Sequence, residues 1–320
     1  MIWEAVIHGG GDLITLKLIN NMKSTYISVL VVGVVIIGAI FLIGKDSEGT
    51  NNDAIQSHRS YSIKLLSDTS SLKPNTPTTY SFSVVDEQGT MLKDFQIAHD
   101  MLLHLIVVRE DLAEFQHVHP DFNSSTGVFT LNNLTFPTAG QYRIYADFVP
   151  SSSQMGEGGM PLNVVLDKDV NVGGSYSPQS LSVSAISKHF DNYEVSLSTN
   201  PKSLTAGSRG MFSFAIKKDG KLITDLQPYL SALGHSVVIR EGTLDYIHAH
   251  AVQEPSVIQN GTIDFHTDFP YDGKYKVFTQ FKHQEKVITT NFVIDVKGDN
   301  SEPTPMERQH MMPDDTMMHN

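Results

Sequence analysis

The chain has 320 residues, 40% hydrophobic and 18% charged, the composition of a folded protein long enough for two ordinary domains. Its formal net charge of −12 argues against a nucleic-acid partner, because phosphate recognition depends on clustered Lys and Arg, and favours cations as a ligand class. There is no cysteine, which excludes disulfides, thiolate metal sites, a cysteine nucleophile and a lipid-modified cysteine anchor.

Residues 1–25 form a short N-terminal segment that carries Lys17 and Lys23. From Tyr26 to Gly44, nineteen residues hold no charge, enough for a helix across ~30 Å of hydrocarbon. Lys45-Asp46-Ser47-Glu48 follow, so the positive-inside bias puts residues 1–25 in the cytoplasm and everything after 44 outside it. No small-x-small cleavage motif closes the apolar run, and it reads as an uncleaved signal anchor of a single-pass cell-membrane protein. Met22-Lys23 would itself make a normal start for such a signal, leaving open whether residues 1–21 are translated.

After a linker at 45–57, the chain is written in strands. Runs rich in β-branched and aromatic residues occur at 61–67, 79–86, 103–108, 127–131, 140–148 and 162–172, separated by turn residues such as Lys73-Pro74-Asn75 and Asp86-Glu87-Gln88-Gly89. The pattern then repeats. His104 and His117-x-His119 are matched by His235 and His248-x-His250 at the same spacing, and Arg109-Glu110 by Arg240-Glu241. Aligned without gaps, 104–119 and 235–250 agree at six of sixteen positions. Phe136-Pro137-x-x-Gly140-x-Tyr142 with Phe148 is answered by Phe269-Pro270-x-x-Gly273-x-Tyr275 with Phe281. This is a duplicated domain. The expected architecture is all-β: two tandem immunoglobulin- or cupredoxin-like β-sandwiches after one N-terminal transmembrane helix. Domain 1 spans 58–173, a linker 174–190, domain 2 191–298, and a flexible tail 299–320. The Gly-x-Tyr opening a late strand resembles a tyrosine corner.

Period two places His104, Ile106 and Val108 on one strand face, and Phe115, His117 and His119 on another. Arg109 to Glu114 reads as a short polar loop, so the two runs form a hairpin. If 108 pairs with 115, all three imidazoles project from one face at the end away from the loop. Repeat 2 places His235, His248 and His250 in the same way. Three imidazoles without a thiolate suit copper, with zinc as the alternative, and exclude a blue-copper site. The competing reading is structural: a buried histidine usually satisfies nearby backbone, and duplication copies structural residues as faithfully as ligands.

The tail 305–320 holds five of the twelve Met and two His, so His310, Met311, Met312, Met317, Met318 and His319 form a candidate accessory soft-metal segment. Met155 and Met160, in a Gly- and Ser-rich loop, read as loop decoration rather than ligands. Asp147 and Gln280 occupy equivalent places in the late strand and read either as supports behind a histidine or, the preferred reading, as solvent-facing; His99 has no counterpart in repeat 2 and stands outside the shared site. No nucleophile elbow, phosphate loop, dinucleotide fingerprint or His-Glu-x-x-His motif is present.

The runs "HLIVVREDLAEFQHVHP" and "FPTAGQYRIYADF" resemble a group of exported bacterial and archaeal proteins. The opening of each repeat is similar to YtkA-like extracytoplasmic domains. The resemblance implies an extracytoplasmic β-sandwich linked with copper or heavy-metal handling, and no established reaction. Repeat 2 departs from it, with Ala251 in place of the proline and Gly242-Thr243 in place of Asp-Leu. The leading expectation is a membrane-anchored, non-enzymatic metal-binding protein for metal buffering, delivery or resistance. Its partners would be the membrane, a metal ion and other envelope proteins, and no nucleic acid. The runner-up is an interaction module with structural histidines, and third is a copper oxidoreductase.

Overall fold

The computed structural model describes residues 4–9, 12–17, 60–152, 163–251 and 261–298. The chain divides into two units, Met1–Ser57 and His58–Asn320. In the first, β1 (Glu4–Gly9) and β2 (Asp12–Lys17) pair as an antiparallel hairpin. The expected anchor at 26–44, Met155, Met160 and the tail at 305–320 lie outside the described residues. Among the described residues, no helix is long and apolar enough to cross a membrane.

The second unit holds both repeats and is all-β. Repeat 1 contains β3 (Tyr61–Leu65), β4 (Thr78–Asp86), β5 (Phe95–Gln96), β6 (Leu103–Arg109), β7 (Phe115–Val118), β8 (Asp121–Asn123), β9 (Val128–Leu134), β10 (Gly140–Pro150) and β11 (Val164–Val172). One sheet runs β3-β4-β9-β8; the other runs β11-β10-β6-β7, with β5 pairing to the end of β10. Alternation along β4 turns Tyr80, Phe82 and Val84 inward, where they meet Leu103, Leu105 and Val107 of β6 and Ile144, Ala146 and Phe148 of β10. Two sheets sharing one apolar core make a β-sandwich.

Repeat 2 contains β12 (Ser187–Phe190), β13 (Tyr193–Asn200), β14 (Leu204–Thr205), β15 (Ser208–Lys218), β16 (Lys221–Leu222), β17 (His235–Arg240), β18 (Tyr246–Ala251), β19 (Thr262–Phe269), β20 (Gly273–His283) and β21 (Lys286–Lys297). Its sheets are β12-β13-β15-β19, with β16 pairing to β15, and β18-β17-β20-β21-β14, joined at one edge because β18 also pairs with β19. Its core gathers Phe212, Phe214, Phe265, Val238, Val277 and Phe292.

In each repeat a tyrosine corner opens the late strand. The Tyr142 hydroxyl donates to the Thr138 carbonyl at 2.9 Å, and Tyr275 to the Tyr271 carbonyl at 2.7 Å. The glycine two residues earlier is required. Gly140 has φ of +131°, and a Cβ there would meet the Tyr176 ring at 2.9 Å.

Every residue of β6 is buried, on both faces of the strand. The face turned away from the repeat-1 core is covered by repeat 2, through a third apolar cluster. Ile106, Val108, Leu112 and Tyr145 come from the first repeat; Val237, Ile239, Leu244, Phe278 and Val293 come from the second. The contacts come in reciprocal pairs. Phe115 stacks on Phe278 with centroids 4.2 Å apart, while Tyr246, the counterpart of Phe115, faces Tyr145, the counterpart of Phe278, at 5.0 Å. Arg143 donates to the Thr243 carbonyl at 3.3 Å, and Lys276, its counterpart, to the Leu112 carbonyl at 2.7 Å. Two repeats of one fold thus meet about an approximate two-fold axis, through the same patch on each. The loop between β6 and β7 is therefore not purely polar: Leu112 is fully buried in this interface.

Candidate metal centre

β6 and β7 pair with Ile106 opposite His117 and Val108 opposite Phe115, the register expected from period two. The hairpin brings His104, His117 and His119 together. His104 Nδ1 lies 2.9 Å from His117 Nε2 and 3.0 Å from His119 Nε2. The ring centroids form a nearly equilateral triangle with sides of 5.1, 4.9 and 4.9 Å. Imidazoles sharing one ion at metal–nitrogen distances of about 2.0–2.1 Å would place their centroids about 5 Å apart, which is the spacing seen.

The outer nitrogens fix which lone pairs face inward. His104 Nε2–H donates to the Ala98 carbonyl at 3.1 Å, a partner that only accepts. His117 Nδ1–H donates to Gln280 Oε1 at 2.8 Å, and the Gln280 amide nitrogen donates to Thr289 Oγ1 at 3.0 Å. In these neutral tautomers, His104 Nδ1 and His117 Nε2 both present lone pairs to the same point, and neither donates to the other. A cation placed at that point would meet both lone pairs. Burial, with His104 and His119 close by, pushes the His117 imidazole down to about 3; burial and His104 push His119 down to about 4. Both are neutral at pH 7, the form that binds metal. His104 is buried, and the other two are half-buried.

Repeat 2 has the same backbone frame. Val237 pairs with His248 and Ile239 with Tyr246, and His235 Nε2 donates to the Leu230 carbonyl at 2.8 Å as His104 does to Ala98. The side chains of His248 and His250 lie outside the described residues. The His235 ring sits 6.2 Å from the rings of both His104 and His117, so the first histidines of the two repeats approach each other across the interface.

Gln280 and Asp147 correct the preferred solvent-facing expectation, and Gln280 takes the other place the sequence left open, behind a histidine. They are 8% and 4% exposed, because the docked repeat covers the outer faces of β20 and β10. Gln280 is paired with His235 in the β17–β20 register and Asp147 with His104 in the β6–β10 register, the same place in each repeat. The Tyr246 hydroxyl donates to Asp147 Oδ2 at 2.8 Å, again across the interface. The available signal was a polar residue at matching positions in two otherwise apolar strand runs. His99 also lies nearer than its lack of a counterpart suggested, 4.7 Å from the His235 ring and 6.2 Å from His104. It sits in a two-residue turn where His99 and Asp100 have φ of 50° and 65°, and Ala98 and Met101 exchange backbone hydrogen bonds. That turn presents the carbonyl that holds His104.

The family described as Domain of unknown function (DUF8832) matches residues 56–155 and 188–298, one segment per repeat. No curated protein matches the chain. Among solved structures, a DUF4426 family protein from Pseudomonas aeruginosa PAO1 is 12% identical with a TM-score of 0.26, covering 35% of this chain and 97% of that one. The Escherichia coli adhesin FdeC is 14% identical with a TM-score of 0.25, covering 75% of this chain and 66% of that one. Salmonella alpha-2-macroglobulin reacted with methylamine is 12% identical with a TM-score of 0.25, covering 74% of this chain and 15% of that one. The chain thus spans less than two thirds of the length of the last two, and similarities this remote carry no argument about its role.

Proposed function

This chain belongs to the DUF8832 family, and from that premise we propose that it is a metal-binding β-sandwich protein. His104, His117 and His119 hold one copper ion in repeat 1, with zinc as the alternative, and His235, His248 and His250 hold a second in repeat 2. One observation carries the reading: three imidazole nitrogens converge while the outer nitrogens of His104 and His117 are tied to a carbonyl and an amide oxygen. Those ties turn lone pairs toward the cluster, and copper and zinc are among the metals that imidazole ligands suit. The apolar run at 26–44 and the likeness to YtkA-like domains support a membrane-anchored location outside the cytoplasm. The role there is metal buffering, delivery or resistance, with the Met- and His-rich tail as an accessory capture segment. The tyrosine corners support an immunoglobulin-like strand order.

Metal analysis of the full chain, produced with copper and zinc supplied, tests this. About two equivalents are expected, and His117→Ala with His248→Ala removes them while far-UV circular dichroism is retained. A metal-free protein whose same variants fail to fold would overturn it in favour of structural histidines. Reductant-dependent oxygen consumption by the copper form would point instead to an oxidoreductase.

A further inference from the structure

The first repeat does not build its centre alone. His117 is supplied by β7 of repeat 1, yet the group that receives its Nδ1–H is Gln280 Oε1, on β20 of repeat 2, at 2.8 Å. Gln280 is itself fixed, its amide nitrogen donating to Thr289 Oγ1 on the neighbouring strand β21, and only 8% of it is exposed. Two residues away on the same face, Phe278 stacks on Phe115, which stands two residues before His117. One strand of repeat 2 therefore grips one strand of repeat 1 at consecutive inward positions, first by ring stacking and then by the imidazole hydrogen bond.

We infer that Gln280 is a positioning residue in trans, which sets the tautomer and aim of His117 and makes metal binding in repeat 1 conditional on the docking of repeat 2. This rests on the metal reading of His104, His117 and His119. Coupling of this kind is reciprocal: if docking aids binding, the ion also holds the repeats together. Gln280 touches no ion; it acts only by keeping His117 Nε2 as a lone pair directed at His104 Nδ1 and His119 Nε2. The residue at the matching place in repeat 1 is Asp147, a carboxylate, so the fold accepts either acceptor at this position.

The test uses the full chain carrying His248→Ala and His250→Ala, so that the repeat-1 centre is read. Zinc affinity is measured by competition with a chromophoric chelator, and the His117 tautomer of the metal-free protein by the pattern of its two imidazole nitrogens in NMR. Gln280→Ala is expected to weaken zinc binding about 10- to 100-fold and to release His117 from the Nδ1–H tautomer. Gln280→Glu, which keeps an acceptor, is expected to restore both. Equal zinc affinity and an unchanged tautomer in Gln280→Ala would overturn the inference. So would an equal loss in the Ala and Glu variants, which would mark Gln280 as a packing residue only. If the parent binds neither zinc nor copper, the metal reading fails, and the tautomer comparison still decides whether Gln280 positions His117.

Discussion

Arg109 shows how a single side chain secures the hairpin that carries the histidines. Its Nε and Nη2 donate to the two carboxylate oxygens of Asp111 at 2.8 Å each, and the two side chains are 5% and 4% exposed. Backbone amides of Ala113 and Gln179 donate to the same carboxylate, and the guanidinium lies 5.2 Å from the Tyr176 ring centroid. Removing one partner of a buried, hydrogen-bonded ion pair strands the other charge, so Asp111→Ala is expected to cost about 3–5 kcal/mol, read by urea unfolding. Burial alone would raise the Asp111 carboxyl, but the Arg109 guanidinium and the two amides outweigh it and hold the group below its usual value. The unfolded chain therefore binds this proton more readily than the folded one. The stabilisation is present above the ordinary carboxylate range and fades as pH falls through the folded pKa, and Asp111→Asn should flatten that acid limb of the stability curve. The repeated Arg-Glu pair was legible in the sequence, but its partners were not. Repeat 2 has Gly242 where Asp111 stands, and Arg240 turns instead to Asp245 and Asp272 at 3.6 and 3.7 Å.

At the scale of elements, the β6–β7 hairpin was readable because period two and a short loop leave few registers. A slip of one residue would send His117 to the opposite face. The tyrosine corners were readable from Gly-x-Tyr alone, since Tyr142 and Tyr275 each reach four residues back along their own chain. Each hydroxyl satisfies a loop carbonyl from a largely buried ring, so Tyr142→Phe and Tyr275→Phe are each expected to cost about 1–2 kcal/mol in urea unfolding. Because the corner lies at the start of β10, well before Asp147 opposite His104, Tyr142→Phe should leave the metal content of the folded protein unchanged. The Ala98–Met101 turn was not readable. It needs φ above zero at His99 and Asp100, and neither residue type demands that conformation as glycine would. The carbonyl that holds His104 is thus set by a turn whose sequence gives little sign of it.

For the whole molecule, duplication was plain in the sequence, whereas docking was not. A strand buried on both faces reads as a continuous apolar run, and "HLIVV" and "HSVVI" are such runs, but the run does not say what covers its second face. The answer is the other repeat, placed so that Phe115–Phe278 and Tyr246–Tyr145 are two versions of one contact. This arrangement has an energetic consequence. The cluster between the repeats contributes buried apolar side chains to both, each worth about 1.5–3 kcal/mol, so neither repeat is expected to reach its full stability alone. The two should melt in one calorimetric transition, with calorimetric and van't Hoff enthalpies equal. Phe115→Ala and Phe278→Ala should each destabilise by about 3–5 kcal/mol, and the double variant should fall short of the sum by about 0.5–1.5 kcal/mol, the coupling of a stacked pair. Additive losses, or a split into two transitions in the unaltered chain, would mean that the repeats fold as separate bodies that merely touch. The sharing of His117 and Gln280 across the interface would then stabilise neither.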